Sequence, residues 1–100
     1  MEEMELICFK IISAVGEAKS DYISALNYAK KGEFEKSAEA MAHGDACYAR
    51  GHEQHADLIC KEAGGEKTEL CLLLMHAEDQ LMAAETTKWM AAELIELYKK

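Results

Sequence analysis

Apolar residues recur at helical spacing along almost the whole chain. Met4, Cys8, Ile11, Ile12, Val15, Ala18, Tyr22, Leu26 and Ala29 mark one face of a first helix over about residues 3–31. Lys30 and Lys31 then precede Gly32, which is cationic last-turn chemistry followed by a C′ glycine. A second helix, about 34–62, carries Phe34, Ala38, Met41, Cys47, Tyr48, His55, Leu58 and Ile59. Gly44 and Gly51 lie inside it at about 1 kcal/mol each against alanine. They mark either a close approach of a neighbouring backbone or a local break. After Gly64-Gly65 comes a third helix, about 67–99.

That third helix carries two stripes. Leu70, Leu74, Ala77, Leu81, Ala84, Lys88, Ala91, Ile95 and Tyr98 alternate by four and three, apolar at all but one position, and suit packing on the first two helices. The fold class is therefore all-α, an antiparallel three-helix bundle with each helix about 45 Å long. The second stripe is Leu72, Met75, Asp79, Met82, Thr86, Trp89 and Glu93. Asp79 is about 200° around from Ala77 at 100° per residue, so this face points away from the protomer core. Leucine, two methionines and tryptophan in register on such a face imply a partner subunit, with third helices meeting along the seam.

Composition narrows the picture. One hundred residues make one domain with a thin core, since a chain this short buries only about 60–65% of its unfolded surface. The absence of proline and the presence of only six glycines fit long helices with few connections. A net charge of −8, with scattered basic residues, excludes the basic stripe a nucleic-acid binder needs. No apolar run reaches membrane-spanning length, and "MEEMELICFK" lacks a basic signal-peptide start, so no membrane insertion and a cytoplasmic location are expected. Cys8, Cys47, Cys60 and Cys71 show no CxxC spacing and read as small buried hydrophobes.

Chemistry concentrates in "LLLMHAEDQLM". Asp79 on a symmetric seam would meet its own copies. Two unit charges at 4 Å repel by about 4 kcal/mol at an effective dielectric of 20. Relief comes from shared protons, from a hard cation such as Mg²⁺, or from escape to water beside the seam. His76 lies about 60° from Asp79, on the seam's border, and Gln80 about 40° from His76, near enough to orient the ring or bond a ligand. The imidazole is either a nucleophile that accepts and passes on a group, or a hydrogen-bonded interface residue. His52 and His55, an i, i+3 pair, suggest a zinc site with Cys60 or His76, but no HExxH or CxxC pattern supports it. His43 has no readable context.

The segments "CFKIISAVGEAKSDYISAL" (8–26), "KKGEFEKSAEAM" (30–41), "GHEQHADLI" (51–59), "GGEK" (64–67), "LLLMHAEDQLMAAET" (72–86) and the closing "ELIELYKK" together resemble one family. It is the enzyme IIA component of the lactose/cellobiose (chitobiose) class of the sugar phosphotransferase system, and the resemblance runs nearly the full length. It implies a three-helix protomer assembling as a nine-helix homotrimer. It implies a phosphotransferase component whose histidine, matched by His76, takes a phosphoryl group from the phosphocarrier HPr and hands it to a cysteine of the IIB component, for uptake of a β-linked disaccharide. It also implies that the aspartate matched by Asp79 meets its symmetry mates on the trimer axis and binds a divalent metal, Mg²⁺ by its chemistry. Cys60 and Cys71 depart from the polar or small residues expected in relatives. The rival classes are a structural or adaptor trimeric bundle without phosphotransfer, and the zinc protein built on His52 and His55.

Overall fold

The computed structural model describes residues 2–100, and three helices account for nearly all of them. They are α1 (Glu3–Lys30), α2 (Phe34–Ala63) and α3 (Leu72–Tyr98). The expected antiparallel three-helix bundle is the observed fold, 50 × 25 × 19 Å overall.

Both turns close by the same device. Glu33 N–H donates to Tyr28 C=O at 2.9 Å and Gly32 N–H to Ala29 C=O at 3.0 Å, with Gly32 at φ +77°. Glu66 N–H donates to Lys61 C=O and Gly65 N–H to Glu62 C=O, both at 3.0 Å, with Gly65 at φ +99°. Each is a Schellman motif whose C′ residue adopts the left-handed conformation that glycine takes without strain. Beside the first turn, the buried Ser37 hydroxyl donates to Ala25 C=O at 2.7 Å and ties α2 to α1.

The start of α3 corrects the expected boundary. The pattern placed it near residue 67, but α3 begins at Leu72 behind an extended Cys71 with φ −147° and ψ 162°. The half-buried Cys71 packs on the core cluster that contains Cys8. Glu66 to Glu69 run beside Glu2, Met4, Ile7 and Leu58, across that end of α1 and α2. Chain drawn into packing in this way cannot also wind into helix. Leu70, assigned to the core stripe, therefore precedes α3 and is exposed.

α1 is the central element, and α2 and α3 meet mainly through it. It buries Cys8, Ile11, Ala14, Val15, Ala18, Tyr22, Ala25 and Ala29, a band wider than one stripe because two helices press on it. From α3, Leu74, Ala77, Leu81, Ala84, Ala91 and Ile95 are buried. Leu74 and Leu81 alone contribute roughly 1.5–3 kcal/mol each. Lys88, the polar member of that stripe, pairs with Asp45 at 3.2 Å and lies 5.9 Å over the Tyr48 ring. Asp45 also accepts from the Tyr22 hydroxyl at 2.7 Å, so one carboxylate joins all three helices. The cysteines divide: Cys8 and Cys47 are buried as expected, but Cys60 is exposed, at the solvent-facing end of α2.

The two glycines inside α2 mark close approach, and the helix runs through them unbroken. A Cβ on Gly51 would stand 2.6 Å from Val15 Cγ1, and one on Gly44 2.7 Å from Tyr22 Cε1. Gly51→Ala is therefore expected to lower stability by about 1 kcal/mol, overpacking outweighing its helix propensity. Gly16 has open space around it, so Gly16→Ala should add up to about 1 kcal/mol. Urea unfolding of both variants, and of Gly51→Ala combined with Val15→Ala, checks this. Favourable coupling in the double variant is expected.

Burial, and then the Asp45 bond, push the Tyr22 phenol well above its ordinary value of 10.0. The folded chain therefore holds this proton where the unfolded chain has lost it. The stability it contributes is fully present below pH 10.0 and declines as pH rises above that value. Tyr22→Phe should cost about 1 kcal/mol at neutral pH. It should also flatten the alkaline decline in denaturant titrations.

Candidate functional site

His76 is the fifth residue of α3. Its level is fixed by Leu74, Ala77 and Leu81, which dock the same turns onto Cys8, Ile11 and Val15 of α1. With those positions buried, Met75, His76 and Asp79 face outward, and all three are exposed. Gln80 is half-buried beside them. The second stripe is where its periodicity placed it: Leu72 is 81% exposed, Met75 61%, Met82 67% and Trp89 68%. A hollow lined by Met82, Glu85, Thr86, Trp89 and Met90 continues the apolar surface toward the C-terminal end of α3.

The late start of α3 changes the surroundings of His76. A helical side chain covers the surface over the turn N-terminal to its own Cα. The His76 side chain therefore leans toward the first turn of α3, where the leading backbone N–H groups have no intrahelical acceptor. α1 and α2 place Glu3, Glu5 and Glu35 in their first turns, whereas α3 has no acidic residue there. Its positive end is uncompensated by a side chain, an arrangement that favours an anion.

The other histidines are engaged elsewhere. His55 Nε2 lies 2.8 Å from Glu78 Oε2, a bond between α2 and α3 two residues from His76. It ties α3 to α2 beside His76, in the rotation that the buried Leu74, Ala77 and Leu81 already require. The Tyr48 hydroxyl donates to Glu85 at 3.2 Å two turns further along. His52 lies beside the Tyr48 ring, 5.9 Å between centroids. Among the described residues, no group of metal-ligating side chains forms around His52 and His55, so the suggested zinc site there is not assembled. One such group does form where no motif indicated it, from Glu17 and Asp21 of α1 with His43 and Cys47 of α2. Each pair is spaced i, i+4, the one sequence signal that would have flagged it, but the pairing of two helices was needed to join them.

A family model described as the lactose/cellobiose-specific IIA subunit of the PTS system matches residues 6–99. The lichenan-specific phosphotransferase enzyme IIA component of Bacillus subtilis (strain 168) is 46% identical over 99 residues, covering 99% of this chain and 90% of that protein. The crystal structure of the PTS cellobiose-specific enzyme IIA from Bacillus anthracis superposes with a TM-score of 0.95 at 43% identity, over 99% of this chain and 91% of that one. A solution structure of the complex between IIA(Chitobiose) and HPr, from the N,N′-diacetylchitobiose branch of the Escherichia coli phosphotransferase system, matches with a TM-score of 0.76 at 29% identity, over 99% of this chain and 96% of that one. Fold and relatives together define an all-helical phosphotransferase component. The chain belongs to the lactose/cellobiose-specific IIA family of the sugar phosphotransferase system.

Proposed function

We propose that His76 is a phosphoryl carrier, loaded by phospho-HPr and unloaded onto a cysteine of a IIB component during uptake of a β-linked disaccharide. The observation that carries the reading is the position of His76 in the HAEDQ segment, exposed on the first turns of α3, within a chain of the IIA family. A relative whose solved structure is a complex with HPr supports the donor.

In loading, an imidazole nitrogen of His76 attacks phosphorus in line, its N–P bond forming as the donor's N–P bond breaks. In unloading, the IIB thiolate attacks, the S–P bond forms, and His76 leaves as neutral imidazole. The protein's part is positioning and charge stabilisation on the transferred oxygens. The uncompensated start of α3 serves that purpose in a chain of net charge −8, where a phosphoryl group is otherwise disfavoured. Met75 and Leu72, on the exposed face with His76, offer adaptable apolar surface that suits two partners used in turn, and together with a neighbouring subunit they would keep water from the phosphohistidine. Gln80 is placed to orient the ring or bond a phosphoryl oxygen. The proposed site of action is the cytoplasm; among the described residues, no helix is long and apolar enough to cross a membrane.

The same reading assigns the exposed stripe to a homotrimer, with Asp79 facing its copies on the axis. Carboxylate oxygens from symmetry-related chains are the donor set of a hard divalent cation such as Mg²⁺, and the exposed Asp79 carboxylate fits that role. The ion would neutralise charge that otherwise opposes assembly.

Intact mass after incubation with phosphoenolpyruvate, enzyme I and HPr tests the carrier role. One acid-labile phosphoryl group is expected on the native chain and none on His76→Gln. An unmodified native chain that is folded and assembled would return the function to a structural or adaptor bundle. Sedimentation tests the assembly: three protomers are expected for the native chain. A shift to monomer with helicity retained is expected for Trp89→Arg combined with Met82→Arg.

A further inference from the structure

On the surface between α1 and α2, Asp21 Oδ2 lies 2.6 Å from His43 Nδ1, and the Cys47 sulfur 3.8 Å from both. Glu17 Oε1 stands 4.0 Å from His43 Nε2. One ligand atom from each of the four residues falls within 4.8 Å of the others. We propose that these four side chains form a zinc site clipping α1 to α2, distinct from the His76 surface and from any ion held by Asp79.

The donor set selects the metal class. One thiolate, one imidazole and two carboxylates suit Zn²⁺, while the sulfur and nitrogen disfavour Mg²⁺ and Ca²⁺. Bond lengths of 2.0–2.3 Å in a tetrahedron place ligand atoms about 3.3–3.8 Å apart. The two 3.8 Å separations to sulfur already meet that spacing, and the Asp21–His43 contact opens to it by side-chain rotation. Two i, i+4 pairs on antiparallel helices make a preorganised frame. Gly44, next to His43, lets the Asp21–Tyr22 stretch of α1 approach closely.

Cys47 is fully buried, so its sulfur is fixed from within the core while the exposed His43 and Glu17 close from outside. The Arg50 guanidinium, 3.3 Å from this sulfur and 3.7 Å from Glu17 Oε2, supplies a positive charge to the cluster. Beside a divalent ion with three anionic ligands it balances the remaining negative charge. On binding, Cys47 gives its proton to solvent, and the sulfur, the imidazole nitrogen and the carboxylate oxygens each donate a lone pair to the metal.

A nucleophilic Cys–His–Asp device fits the same residues worse. Cys47 and Asp21 both face Nδ1 of His43, so the ring cannot relay a proton between them. His55, which bonds Glu78 beside His76, lies 8 and 12 residues along α2 from Cys47 and His43, about 12–18 Å of helix. The clip is thus remote from phosphotransfer.

Titration calorimetry of the reduced, chelator-treated chain with zinc chloride alone tests the proposal. One zinc per chain is expected. His43→Gln, an exposed position whose replacement leaves the core intact, should weaken binding at least tenfold, and Asp79→Asn should leave it unchanged. Cobalt(II) should give a thiolate charge-transfer band in the near ultraviolet that Cys47→Ala abolishes, with helicity checked by circular dichroism. Zinc binding at saturation should raise the thermal midpoint of the native chain and of His76→Gln alike, because the clip and the carrier role stand or fall separately. Absence of stoichiometric binding would overturn the proposal. So would binding unchanged in His43→Gln and Cys47→Ala, or binding lost in Asp79→Asn alone.

Discussion

The close approach of α1 to α2 governs the rest of the molecule. Val15 fills the space that a side chain at Gly51 would take, and Tyr22 the space at Gly44. With those two contacts made, α1 turns a broad second band of small and medium side chains toward α3. Leu74 and Leu81 then have one register in which to bury, and the outward face of α3 follows from the inward one. A glycine within a helix costs local stability, and here that cost is offset by dispersion contacts that only a missing Cβ permits.

Beyond α1, α2 and α3 are joined largely by polar bridges. His55–Glu78, Tyr48–Glu85 and Asp45–Lys88 form a ladder along the seam between them. These partly exposed pairs add little net energy each. Their geometry is matched to the rotation that Leu74 and Leu81 impose by burial, the one that leaves His76 facing outward. Two acidic residues of the HAEDQ segment therefore do opposite things: Glu78 is spent on holding α3, whereas Asp79 remains on the open face.

Much of this was legible in the sequence because helical periodicity reports directly on burial. The two stripes of α3 separated core from open face, and the basic residues before Gly32 located the first turn. What escaped was decided by tertiary packing. Residues 67–71 have a pattern compatible with helix, but packing of Cys71 on the core draws the chain out. His43 has no readable context in the sequence because its acidic partners, Asp21 and Glu17, lie on another helix, 22 or more residues earlier in the chain. His52 and His55 share α2, but the fold gives them different partners, the Tyr48 ring for His52 and Glu78 for His55, and brings no further ligand to the pair.

The unequal connections between helices bear on the order in which the chain gains structure. α1 and α2 are joined by a tight glycine turn, so their first contacts close a short loop and the rest follow along the hairpin. α3 arrives only after the longer stretch from Gly64 to Cys71. During synthesis α1 and α2 leave the ribosome before α3, so the surface on which α3 docks is made first. The helix that bears His76 and the exposed seam is thus the last to be laid down. Its sticky face is withheld until the rest of the protomer is in place, which limits the interval in which that face meets the wrong partner.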